Sequence, residues 1–163
     1  MSRNMLIYLA AGGSLALLFG AWGFEYIGGM APCQMCYWQR WPHMAAVPVG
    51  ILAVATVGMT LPFLGALAAG ITGGIGFFHT GVERGWWEGP TSCTSGAIDD
   101  LSAEDLLNQI MTAPLVRCDD VPWEMFGLSM ARWNALASFA LMVLWLAPAR
   151  VSARQVQRKP SAT

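Results

Sequence analysis

Charged residues are scarce in this chain. They make up only 12% of its 163 residues, about half the share found in a typical soluble domain. Hydrophobic residues make up 55%, and the mean hydropathy is +0.47. The net charge of −1 excludes the strongly basic face of a nucleic-acid binder, so no nucleic-acid partner is expected. The length is that of one domain, residues 1–163, and the lack of charge indicates that its surroundings are a lipid bilayer.

The charges are missing from three long runs, and these runs predict the fold. Residues 4–24, 41–82 and 133–149 contain no Asp, Glu, Lys or Arg. A helix of about 20 apolar residues crosses a bilayer, so the middle run holds two helices. It is divided near Gly58, and Pro62 suits the first turn of a new helix. The sequence therefore predicts an all-α integral membrane four-helix bundle with spans at residues 5–24, 42–59, 62–82 and 129–148.

The charges that remain predict the orientation of the bundle. An even number of spans places both termini on one side. That side carries five basic residues and no acid: Arg3, Arg150, Arg154, Arg158 and Lys159. Short basic flanks stay in the cytoplasm, so both termini, including a tail at 149–163, are predicted to be cytoplasmic. The alternative for residues 5–24 is a cleaved signal peptide, which would leave three spans.

Two loops then face outward, at about 25–39 and 83–128. The second contains a predicted short amphipathic helix: Ser102 suits its N-cap, apolar residues follow at helical spacing, and Pro114 limits its far end. Such a helix can rest on the membrane surface or cover the first loop, or it can simply pack on the rest of its own loop, and the sequence leaves these possibilities open.

All four cysteines lie in these outward loops, where thiols are oxidised. Cys33 and Cys36 form a Cys-x-x-Cys motif, while Cys93 and Cys118 are well separated. A disulfide within Cys-x-x-Cys closes a very small ring and stabilises little, so the motif favours redox chemistry. The alternatives are two structural disulfides in a non-catalytic scaffold, or a four-cysteine zinc site. No c-type haem is expected, because Tyr37 rather than His follows the motif, and no metal is expected.

Arg40 follows Cys36 by four residues, which places both on one helical face if the helix has begun. A helix N-terminus and a nearby guanidinium both favour a thiolate. Arg40 can also donate to a carbonyl oxygen of an electron acceptor, although an interfacial arginine that only anchors the helix is the alternative. Dinucleotide, iron–sulfur and phosphate-loop motifs are lacking, and a thiol at the apolar boundary favours a lipid-soluble acceptor such as a quinone.

The first loop and the approach to the second resemble the DsbB family of thiol–quinone oxidoreductases. The first matching segment runs from Pro32 to Arg40, and the second is Glu83-Arg84-Gly85-Trp86-Trp87 ahead of Pro90 and Cys93. The resemblance extends from about Leu6 to Ala147. It implies a multi-pass protein of the bacterial inner membrane that sustains disulfide bond formation in the periplasm.

The resemblance also implies two redox disulfides, Cys33–Cys36 and Cys93–Cys118. A periplasmic DsbA-like oxidase of the thioredoxin fold would attack at Cys93, and Cys118 would pass the electrons to Cys33. Cys36 would face ubiquinone or menaquinone, assisted by Arg40. His79 would lie near that quinone, or would be a boundary histidine bonded to backbone or water.

Two related readings remain at this point. Enzymes of the vitamin K epoxide reductase type are also four-helix thiol proteins, but their Cys-x-x-Cys lies in a late span, whereas Cys33 and Cys36 precede the second span here. A DsbB paralogue that serves one dedicated thioredoxin-like partner is not separated from a general one by the sequence.

Overall fold

The computed structural model of the chain describes residues 2–90, 93, 102, 104, 107, 108, 111 and 116–157, the last nine of these as backbone. Four long helices account for most of this part of the chain: α1 (Arg3–Trp22), α2 (Gln34–Ala55), α3 (Thr60–Glu83) and α4 (Met130–Gln157). A π-helical turn, Gly23–Ile27, continues α1. A short antiparallel hairpin of β1 (Glu124–Met125) and β2 (Leu128–Ser129) leads into α4. The predicted all-α four-helix membrane architecture is confirmed.

Three of the helical segments are long and apolar enough to cross a membrane: Arg3–Ile27, Thr60–Glu83 and Met130–Pro148. Helix α2 has 22 residues and a comparable length, but it carries polar side chains such as Gln39 and His43. Both of these are buried inside the bundle, whereas large apolar side chains such as Phe19, Leu52 and Val143 are exposed on its outside. Apolar residues outside and polar residues inside are what a lipid environment requires.

The bounds of two helices differ from the predicted segments. Helix α2 begins at Gln34, whereas the predicted span begins at residue 42. The helix starts this early because Cys33 caps it by accepting a hydrogen bond from the Cys36 backbone N–H. The charge of Arg40 does not interrupt the helix, although it bounds the uncharged run. Helix α4 continues through Pro148 to Gln157, so residues 149–157 of the predicted tail are helical. Alanine, arginine and glutamine in this segment favour helix.

Small residues allow the helices to pack closely. The core between them contains alanines from all of the first three helices together with Ile7 and Trp145. The Trp145 ring lies directly on Gly65 of α3, where an added Cβ would be 2.5 Å from the ring. Because lipid is as apolar as the helices, close packing rather than hydrophobic burial holds such bundles together. The bundle brings the first turn of α2 and the last turn of α3 side by side, with Met35 packed near Val82.

Only part of the predicted amphipathic helix lies within the described residues. Glu104, Leu107, Asn108 and Met111 are helical and exposed, while the other positions between 103 and 115 lie outside the described residues. Its predicted location, on the membrane surface, on the first loop or on the rest of its own loop, stays a prediction.

Candidate thiol redox site

Cys33 and Cys36 lie at the first turn of α2 and point toward each other. The Cys33 side chain accepts from the Cys36 backbone N–H at 3.2 Å, and the two sulfurs are 2.7 Å apart. Both thiols are free, so the predicted Cys33–Cys36 disulfide is open in this structure. Cys33 is 4% exposed and Cys36 is half-buried. At this separation the pair can close into a disulfide with little movement of the backbone.

Cys93 and Cys118 are joined by a disulfide. The Cys118 backbone N–H donates to the Cys93 carbonyl at 2.7 Å, so a backbone hydrogen bond supports the same pairing. Both residues are buried, and they pack in one cluster with Cys33, Met35 and Val82. The two cysteine pairs, which are far apart along the chain, therefore meet at one end of the bundle.

His79 lies between the two pairs. Its Nε2 is 3.7 Å from the Cys33 sulfur and 3.0 Å from the Cys118 carbonyl oxygen. Its Nδ1 is 2.9 Å from the side-chain nitrogen of Gln39. The sequence places His79 at the outer end of the third span, and the structure adds contacts with both cysteine pairs.

The ligand atoms of Cys33, His79 and Cys118 lie within 4.8 Å of one another, which is close enough for a shared metal ion. The Cys118 sulfur, however, is bonded to Cys93 and has no thiolate to offer. While this disulfide is intact, the cluster does not supply the thiolate set that a zinc site needs.

Arg40 is held beside the cysteine pair by Glu25. The two side chains form an ion pair in which both are largely buried, with 12% and 15% of the side chains exposed. The guanidinium also lies over the Tyr37 ring at 5.2 Å. Glu25 lies in the π-helical turn that continues α1. Because a guanidinium has five N–H donors, the pair with Glu25 fixes Arg40 and leaves donors free for another ligand.

The two thiols of the first pair are electrostatically unequal. The hydrogen bond with Cys36 raises the pKa of Cys33 above the usual thiol range, and burial raises it further. Cys36, in contrast, lies at a helix N-terminus with Arg40 one turn away, and both features favour its anion. Cys36 is therefore the thiol of the reduced pair that gives up its proton first.

A cavity of about 440 Å³ opens beside this pair. Cys33, Cys36, Arg40 and His79 border it. The other wall residues are mostly apolar side chains from α1, the π-helical turn, the segment before β1 and α4. They include Leu17, Phe24, Trp123 and Trp133. Apolar walls with a few convergent polar groups are typical of a site for a small hydrophobic ligand.

A buried polar network adjoins the cavity, and the sequence did not reveal it. Asn134 donates to the Gln39 side-chain oxygen at 2.8 Å and to the Thr72 hydroxyl at 3.2 Å. His43 Nε2 lies 3.3 Å from the Asn134 side-chain oxygen and 3.2 Å from the Ser138 hydroxyl. The only sequence signal was the presence of these polar residues within apolar helices. Such residues need partners inside a membrane, but sequence alone does not say which partners they find.

Comparison with known proteins gives one consistent result. The family model described as "Disulfide bond formation protein DsbB" matches residues 3–148. The disulfide bond formation protein B of Shewanella sp. (strain MR-4) is 31% identical over 149 residues, covering 85% of this chain and 82% of that protein. The protein of the same name from Polaromonas sp. (strain JS666 / ATCC BAA-500) is 28% identical over 169 residues, covering 95% of each.

Proposed function

We propose, from the premise that this chain belongs to the DsbB family, that it is a quinone-dependent protein-disulfide oxidoreductase. In this proposal it reoxidises a periplasmic DsbA-like dithiol oxidase and delivers the electrons to ubiquinone or menaquinone. One observation carries the proposal. A free Cys-x-x-Cys pair packs against a second, disulfide-bonded pair and borders an apolar cavity.

The first half of the cycle is thiol–disulfide exchange. A partner thiolate attacks the Cys93 sulfur, forms a mixed disulfide and releases Cys118 as a thiolate. Cys118 then attacks Cys33 of the closed Cys33–Cys36 disulfide and releases Cys36 as a thiolate. The second partner thiol attacks the partner sulfur of the mixed disulfide, so the partner leaves oxidised and Cys93 becomes a thiol.

The second half of the cycle moves the partner's electrons onto the Cys33–Cys36 pair. Cys93 attacks Cys118 in the interloop disulfide, restores Cys93–Cys118 and releases Cys33. Two electrons now reside on the Cys33 and Cys36 thiols. This bonding state, with Cys93–Cys118 closed and Cys33 and Cys36 free, is the one present in the structure.

A quinone supplies a hydrophobic two-electron, two-proton acceptor. The chain offers an apolar wall for its ring, the Cys36 sulfur at that wall, and unpaired N–H donors of Arg40 for a carbonyl oxygen. Glu25 holds Arg40 in place, so the donor is oriented before the ligand arrives. Closing the Cys33–Cys36 disulfide would give the quinone two electrons and the Cys33 proton, and the second proton would come from water when Cys36 is already ionised.

The proposed location is the bacterial inner membrane, with the cysteine loops in the periplasm. The five basic residues near the termini support it, because they favour cytoplasmic termini. An oxidising compartment around the loops is also what a Cys93–Cys118 disulfide needs.

The test uses the purified full chain in detergent as the catalyst. Reduced DsbA-like protein is the electron donor, a soluble ubiquinone analogue is the acceptor, and the quinone absorbance reports the rate. Cys36→Ser is expected to abolish the reaction. Arg40→Ala is expected to slow it about tenfold, since it removes one charged donor from the acceptor site. Arg132→Ala is the matched control, because Arg132 donates to the Gly127 carbonyl and does not border the cavity. Unchanged rates in Cys36→Ser and Arg40→Ala would refute the proposal.

A further inference from the structure

The hydrogen bonds around His79 define which ring nitrogen carries its proton. The Gln39 side-chain nitrogen donates to the Met35 carbonyl at 3.2 Å, and the Gln39 side-chain oxygen accepts from Asn134. These two bonds orient the Gln39 amide so that its N–H faces His79 Nδ1 at 2.9 Å. An amide nitrogen only donates, so Nδ1 is the acceptor and the ring proton is on Nε2.

The Nε2–H of His79 therefore points at the junction of the two cysteine pairs. The Cys118 carbonyl oxygen accepts from it at 3.0 Å, and the Cys33 sulfur lies 3.7 Å away. The first of these acceptors is a backbone carbonyl, so the acceptor is present whether the Cys118 sulfur is bonded to Cys93, to Cys33 or to neither. His79 itself is buried on helix α3, outside both cysteine-bearing segments.

We propose that His79 is a positioning residue for transfer between the two cysteine pairs, a role that rests on the proposed function. Its Nε2–H ties the Cys118 backbone beside Cys33, so that the Cys118 thiolate released by the partner stays within reach of the Cys33 sulfur. A free loop end would have to find Cys33 by diffusion, and a tether raises its effective concentration.

The direct test measures this effective concentration without partner or quinone. In the full chain carrying Cys36→Ser and Cys93→Ser, the thiols of Cys33 and Cys118 are equilibrated with oxidised and reduced glutathione. Each disulfide formed between them converts one oxidised glutathione to two reduced molecules. The square of the reduced glutathione concentration divided by the oxidised glutathione concentration, taken at half-formation, gives the effective concentration.

Adding His79→Leu is expected to lower that effective concentration about tenfold, the cost of one buried hydrogen bond. His79→Gln places an N–H at a similar reach and is expected to restore most of it. Thr80→Val is the packing control, because the neighbouring Thr80 hydroxyl donates only within its own helix, to the Gly76 carbonyl. Equal values for the parent and His79→Leu would overturn the proposal, as would failure of His79→Gln to exceed His79→Leu.

A kinetic comparison separates this role from quinone contact. With all four cysteines present, His79→Leu is expected to slow partner-driven quinone reduction about tenfold. In a single turnover of fully reduced protein with the ubiquinone analogue, His79→Leu is expected to lower the rate by less than about twofold. That step bypasses the transfer between the two cysteine pairs. A loss of similar size in both assays would assign His79 to the quinone and overturn the positioning role. An inactive wild-type protein would refute the proposed function, while the glutathione equilibrium would still decide the role of His79.

Discussion

The Cys33–Cys36 pair combines two thiols whose surroundings differ although they are three residues apart. Cys33 is buried, and its sulfur accepts a hydrogen bond from the Cys36 backbone N–H. Cys36 is half-buried, and Arg40 lies one helical turn away. One thiol is therefore suited to exchange with the second pair and the other to hold the negative charge.

This difference predicts the order of alkylation in the reduced protein. The pKa of Cys33 is raised, so Cys33 stays a protonated and unreactive thiol to a higher pH than an ordinary cysteine. Iodoacetamide applied between about pH 6 and 9 is expected to modify Cys36 first, as located by mass spectrometry of peptides. In Cys36→Ser, which removes the thiol that raises the Cys33 pKa, Cys33 is expected to react at lower pH than in the parent. Modification of Cys33 ahead of Cys36 would contradict this assignment.

Residues related by spacing along one helix were predictable, and residues related across helices were not. The four-residue step from Cys36 to Arg40 is visible in the sequence because a single helix carries both. Glu25 reaches Arg40 only because a π-helical turn extends α1 beyond Trp22. The contact of His79 with Cys118 joins residues 39 positions apart, and no local pattern encodes it.

At the scale of elements, the absence of charge located the helices well but not their ends. Uncharged runs mark what lies in lipid, whereas the ends of helices follow from caps and local propensity. Cys33 caps α2 through its sulfur, which is an uncommon cap and gives no sequence signal. The break near Gly58 was predictable from the sequence. Helix α3 begins at Thr60 with Pro62 in its first turn, as expected for a proline at a helix start.

Close helix packing predicts a strong effect of one glycine on stability. Gly65→Ala would place a Cβ about 2.5 Å from the rigid Trp145 ring, and such overpacking costs about 1–3 kcal/mol. We expect a lower midpoint of thermal unfolding in detergent. Gly74→Ala, in the same helix, is the matched control, because its Cβ would meet nothing within 4 Å. A Gly65→Ala protein as stable as the Gly74→Ala protein would show that α3 and α4 do not pack as described.

For the whole molecule, the balance of charges predicts the orientation in the membrane. Fusions at the C-terminus should report a cytoplasmic location, because the basic residues near both termini resist transfer across the membrane. We expect a fluorescent green fluorescent protein fusion and an inactive alkaline phosphatase fusion in the same cells. A fusion of alkaline phosphatase after Gly89, in the second loop, should be active. The reverse pattern would place the cysteines in a reducing compartment and contradict the orientation.

Cys33 and Cys118 are only 4% and 0% exposed, and this burial limits which thiols can react with them. Small thiols dissolved in water therefore react with these sulfurs slowly, because the loops must open before contact is made. Under the proposed function, the quinone would reach the same cluster from its apolar side. Under the proposed function, a partner protein that fits the loops would exchange with the cluster quickly, whereas glutathione would exchange with it slowly. The oxidation of the partner protein would then compete little with oxidation of the dissolved thiols.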